Sequence, residues 1–158
     1  MNILPMRHRA GQSRADRARM RGTSLIEVLV AVAVLSTGLL GMVALQAKAL
    51  RNNQSSLERS QAVVLTYSIL ERMRANAAAA ESNAYDYTWS AACPAPGNGS
   101  LANNDLTNWI GEVRAGLGQG ACGNITCNGN LCTIFVQWDD TRGIAGSSTQ
   151  RVTTSSRL

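Results

Sequence analysis

Few residues in this 158-residue chain could do chemistry, and their types narrow what that chemistry is. Four are cysteines: Cys93, Cys122, Cys127 and Cys132. The last three read C-x4-C-x4-C, which lacks the C-x2-C knuckle of a structural zinc site, and no histidine lies near them. Disulfide pairing is therefore the expected use. Asp139 and Asp140 are adjacent and follow a β-prone run, where a polar turn is the expected reading and an ion site the lesser one. His8 stands alone in an arginine-rich segment. There is no nucleophile elbow, no glycine-rich phosphate loop and no clustered acid pair outside that turn. No catalytic, cofactor-binding or metal-binding residue is assigned, and a structural, non-enzymatic protein is expected.

One more acid stands out by its surroundings. Glu27 lies just inside a long apolar run, and from Val28 to Ala47 the next charge-free stretch reads VLVAVAVLSTGLLGMVALQA. A helix of that length spans about 30 Å, a bilayer's hydrocarbon thickness. A carboxylate at the centre of such a helix costs about 2.5–3.5 kcal/mol, less near its end, and calls for a partner. The helix macrodipole supplies part of the compensation.

Charge distribution sets the orientation. The formal net charge is +5, and residues 1–22 hold six arginines against one acid, Asp16. The remainder holds nine Lys/Arg and nine Asp/Glu. Positive charge before the apolar run places the N-terminus in the cytoplasm and sends the rest across the membrane as a single-pass protein. The cysteines then reach an oxidising space. Nucleic acid is not an expected partner, because the neutral remainder has no basic face.

The order of these features resembles a known family. A basic leader ends in Gly22, and Thr23-Ser-Leu-Ile-Glu27 opens the apolar helix. This resembles the signal of type IV pilins and pseudopilins. The longer stretch from Gly22 to Asn76, and "TIFVQWDDTRG" near the C-terminus, are similar to minor pilins of the PilV type, also called type IV pilus modification proteins. The resemblance implies cleavage between Gly22 and Thr23 by a prepilin peptidase and N-methylation at Thr23. It implies that Glu27 fixes subunit register during assembly, against a neighbour's terminal amine. It further implies the pilin architecture, a place in the extracellular pilus, and a set of partners: the major pilin, other minor pilins, an inner-membrane assembly platform and a tip adhesin. A minor pilin that helps initiate pilus assembly is the leading reading. A minor pseudopilin of a type II secretion system and a DNA-uptake pilin are the alternatives.

The elements that must position these residues follow. Residues 1–22 read as leader, 23–50 as the membrane or filament-core half of one long helix, and 51–158 as the head. The helix is expected to run to about Ala80. Gly38 and Gly41 mark either a weak point or a close helix–helix contact. Beyond Leu50 the pattern turns amphipathic: Leu50, Leu57, Val64 and Glu71 recur every seven, with Val63, Tyr67, Leu70 and Arg74 beside them. That stripe is expected to bury against the head. A short helix is expected over Leu106–Gly118, with Asp105 as N-cap and Gly118 as its stop. Asn128-Gly129-Asn130-Leu131 signals a hairpin. A tip at Gly129-Asn130 sets Cys127 opposite Cys132, favouring that bridge and leaving Cys93–Cys122. The tail supplies one edge strand. The fold class is α+β: a long N-terminal helix on a small, disulfide-stapled antiparallel sheet.

Overall fold

The computed structural model describes residues 24–158; Gly22, Thr23, His8 and the rest of the leader lie outside them. The chain divides into two compact units between Leu40 and Gly41. Helix α1 is Leu25–Ala75. Ser24 starts it: its Oγ accepts the Glu27 N–H at 3.3 Å, and its carbonyl accepts the same N–H at 2.9 Å. Ser24-x-x-Glu27 thus has the spacing of a capping box. In the first unit every residue of α1 is exposed. Among these, Leu25, Val34, Leu35 and Leu40 each leave more than 60% of their surface open.

The second unit is the head. α1 stops at Ala75, five residues before the expected end. Asn76 leaves helical geometry at φ −126°, ψ 48°, and its amide nitrogen bonds the Tyr85 hydroxyl. A one-turn helix, α2 (Ala77–Glu81), follows.

α3 is Leu101–Leu117, longer than expected. Asp105 is not its N-cap. Ser100 caps it instead, accepting the Asn103 N–H at 3.2 Å, and Asp105 sits one turn inside, accepting the Tyr85 hydroxyl at 2.6 Å. Gly118 does end the helix, with φ 103°. Trp109, Ile110, Val113 and Leu117 form the buried face, extended by Leu106 and Ala102.

Three antiparallel strands complete the head in the order β1-β2-β3: β1 Cys122–Asn128, β2 Leu131–Trp138 and β3 Gln150–Arg157. The β1–β2 turn has Gly129 and Asn130 at its tip, and Gly129 takes φ 60° while Asn130 stays negative, the pattern of a II′ turn. Cys127 faces Cys132 with Cα atoms 4.1 Å apart, the short spacing of a non-hydrogen-bonded pair, and the two are bridged. Cys93 is bridged to Cys122. On β2, Ile134, Val136 and Trp138 point into the core, while Thr133, Phe135 and Gln137 stay half-buried on the outer face.

The core corrects the reading of α1. Its buried face is Glu58, Ala62, Thr66, Ile69, Leu70 and Met73. Of the expected stripe only Leu70 is buried; Leu50, Leu57 and Val64 are 69%, 58% and 66% exposed, and Val63 and Tyr67 are exposed too. The reason is close approach. Ala62 is small, and Thr66 meets Thr154 of β3 at 3.0 Å while its hydroxyl also bonds the Val63 carbonyl. Polar residues that neutralise their own hydrogen bonds locally can occupy a helix–sheet seam where larger apolar ones would not fit.

Candidate interaction surfaces

Two surfaces of the chain are candidates for interaction. Glu27 lies in the first turn of α1, where the macrodipole favours a carboxylate. Among the described residues its carboxylate has no hydrogen-bond or salt-bridge partner. Around it the helix is apolar on all sides, with a mean hydropathy of 2.5 in its most apolar 18-residue window and none of that window buried. Such a helix is long and apolar enough to cross a membrane. Ser36 and Thr37 return their hydroxyls to the Val32 and Val34 carbonyls, so both hydroxyls are satisfied within the helix. Gly38 and Gly41 flank the boundary between the two units, and a Cβ on either would meet nothing within 4 Å. Among the described residues nothing requires glycine there.

The second surface is on the head. The exposed Leu50, Leu57 and Val64 line one face of α1, and beside Leu57 and Val64 lies a shallow apolar groove of about 420 Å3 closed by Leu65 and Gly116. Heptad spacing keeps such residues on one side of a helix. The sequence showed this periodicity but not which side the head would cover.

A polar cleft of about 400 Å3 separates α1 from the loop after β2 and is lined by Arg51, Gln54, Ser55, Glu58, Asp140 and Arg142, among others. The turn expected at Asp139-Asp140 is present. Asp139 is fully exposed and accepts the Thr141 N–H at 2.9 Å, and that bond holds its carboxyl below the usual carboxylate range. Asp140 opens the turn, its carbonyl accepting the Gly143 N–H at 2.9 Å, but its side chain is buried rather than solvated. It is 2% exposed, accepts the Ser55 hydroxyl at 2.6 Å, and its backbone N–H donates to the Ser147 carbonyl. Arg142 donates to Glu58 Oε1 at 2.9 Å. These pairs fasten the loop to α1. Gly143 and Gly146 both pack against Asp140, and a Cβ on Gly146 would overlap the Asp140 carbonyl. Among the described residues no three His, Cys, Asp or Glu side chains converge to hold a metal. All four cysteines are in bridges.

Residues 44–100 match the family described as Tt1218-like, type IV pilin Tt1218. They cover the second half of α1, α2 and the loop leading to α3, just over a third of the chain. No curated protein and no solved structure matches. A long N-terminal helix, a small three-stranded antiparallel sheet and two disulfides are consistent with the type IV pilin fold, and with the match over 44–100 they support a type IV pilin family for this chain.

Proposed function

We propose that this protein is a minor pilin, a non-catalytic subunit that enters a type IV pilus and helps initiate its assembly. One observation carries the reading: an apolar helix with no cover of its own begins at a serine cap and a single acid, and continues into a disulfide-bridged head. An uncovered helix of this kind needs lipid before assembly and other helices after it.

On this reading residues 1–22 are a leader. A prepilin peptidase cuts between Gly22 and Thr23, and Thr23 becomes the methylated terminus. Residues 23–50 lie in the inner membrane with the head in the periplasm, until an assembly platform moves the subunit into the fibre. Glu27 then meets the terminal amine of a neighbouring subunit. Such a pair, in an apolar bundle, acts mainly to fix register. Gly38 and Gly41, which this chain's own packing does not require, fit contact with the helices of the major pilin and other minor pilins. A tip adhesin is a further partner of the assembled complex.

The test is the intact mass of the protein from membranes of cells with and without prepilin peptidase. Peptidase-dependent loss of residues 1–22, with one added methyl, is expected. An uncut chain in both strains overturns the reading.

A further inference from the structure

The sheet of the head has two outer edges, and they are treated differently. The β1 edge is covered. Tyr87 exchanges two backbone hydrogen bonds with Ile125, at 2.9 and 2.8 Å, and the Asp86 carboxylate accepts the Cys127 N–H at 2.9 Å. The β3 edge has no such cover. Cys132 forms a non-hydrogen-bonded pair with Cys127, so its backbone groups turn toward β3; the alternation then directs Ser156, Thr154, Val152 and Gln150 toward β2. Arg151, Thr153, Ser155 and Arg157 turn theirs outward. The Arg157 carbonyl is taken by Arg74, as that direction requires. The N–H and C=O groups of Arg151, Thr153 and Ser155 have no partner among the described residues.

A bare edge of this length invites pairing, and proteins that avoid it place a proline, a bulge or a central charge there. β3 has none of these: its eight residues pair with β2 in unbroken register, and its centre is Thr153-Thr154-Ser155. Its charges are at the ends. Arg151 is fixed, lying 4.0 Å over the Phe135 ring and donating to Gln137 at 2.9 Å. Arg157 is about 20 Å away along the strand. A second copy of β3 in the antiparallel register that uses the whole edge would set Arg151 opposite Arg157 at both ends, and like charges directly opposed are destabilising. The same placement favours acids at both ends of an added strand.

We propose that the free edge of β3 is a docking site for an extended segment of a different chain, with small or β-branched residues at its centre and an acid at each end, which adds as a fourth strand. The main-chain bonds supply affinity and the two arginines select the partner. This surface lies wholly on the head and does not depend on the chain's entering a fibre.

The probe is a synthetic blocked peptide, Asp-Thr-Val-Thr-Val-Thr-Asp, with a lysine-ended version as control, added to the full chain in detergent micelles. The readout is amide exchange at Arg151, Thr153 and Ser155. The acid-ended peptide is expected to slow exchange there at least about tenfold at saturation and the lysine-ended one to bind about tenfold more weakly. Thr153→Pro removes an outward N–H and leaves the β2 ladder intact, so it is expected to abolish the protection. Arg151→Glu with Arg157→Glu is expected to reverse the peptide preference without relying on proline's being tolerated. No protection by either peptide at millimolar concentration overturns the proposal, as does equal protection by both. Protection that appears without peptide as the protein is concentrated also overturns it, by showing a second copy in the site.

Discussion

The Trp109 ring of α3 lies directly on Gly123 of β1: a Cβ at Gly123 would stand 2.1 Å from Trp109 Cη2. The ring is fixed from its other side, because its Nε1 donates to the Leu65 carbonyl of α1 at 2.9 Å. One side chain therefore joins two helices and the sheet. Gly123→Ala is expected to push the ring off its bond, at a cost of about 3 kcal/mol from overpacking and the lost hydrogen bond together. Chemical denaturation followed by tryptophan fluorescence measures it. A loss below about 0.5 kcal/mol would mean the ring can shift freely.

The two faces of α1 differ in what they contribute. Ile69 is fully buried and Leu57 is 58% exposed. Ile69→Ala is expected to destabilise the head by about 2–4 kcal/mol. Leu57→Ala is expected to stay within about 0.5 kcal/mol of the parent. Equal losses at both sites would contradict the burial pattern. If the exposed face serves assembly, Leu57→Lys will leave folding unchanged and reduce the protein recovered with sheared pili.

The sequence disclosed the elements whose signals are local. The hairpin at Gly129-Asn130 followed from turn chemistry, and from it the Cys127–Cys132 facing pair. The apolar length of α1 and the Gly118 stop were also legible. Which side of α1 meets the sheet was not. The heptad Leu50, Leu57, Val64 is the stronger periodic pattern, yet the seam is built on Ala62 and Thr66, whose small volume matters only once β3 is in place. The turn at Asp139-Asp140 was legible, but the burial of the Asp140 carboxylate was not, because its partner Ser55 is 85 residues away. The start of α3 lies earlier than expected. Ser100 lies five positions before Asp105, and Tyr85 takes up the carboxylate that would otherwise cap.

Tyr85 gives the head a pH dependence on the alkaline side. Burial raises its phenol above the ordinary 10.0, and the hydrogen bond to Asp105 raises it further. A raised folded value means that the contribution to stability is full below pH 10 and is lost as pH climbs through that value. Tyr87 is raised as well, by burial. The parent is therefore expected to lose stability progressively above pH 10. Tyr85→Phe should flatten that loss in part while costing about 1–2 kcal/mol at neutral pH, since Asp105 Oδ2 loses its donor. Unfolding midpoints between pH 7 and pH 11 decide it. An unchanged alkaline slope in Tyr85→Phe would remove Tyr85 from the account.

The two disulfides close loops of different length, with sequence separations of 29 and 5. If loop closure in the unfolded chain dominates, the Cys93–Cys122 bridge contributes about 3–4 kcal/mol and the Cys127–Cys132 bridge about 2 kcal/mol. The longer one also holds the loop before α3 to β1, where Arg114 binds the Ala92 and Cys93 carbonyls. The shorter one joins residues that the hairpin already sets opposite each other. Replacing Cys93 and Cys122 by alanine is therefore expected to lower the unfolding midpoint more than replacing Cys127 and Cys132. Single-pair variants unfolded in denaturant without reductant measure both. The reverse order would mean that the hairpin bridge holds strand register the turn cannot hold alone, and Cys127→Ala with Cys132→Ala should then also speed amide exchange along β1.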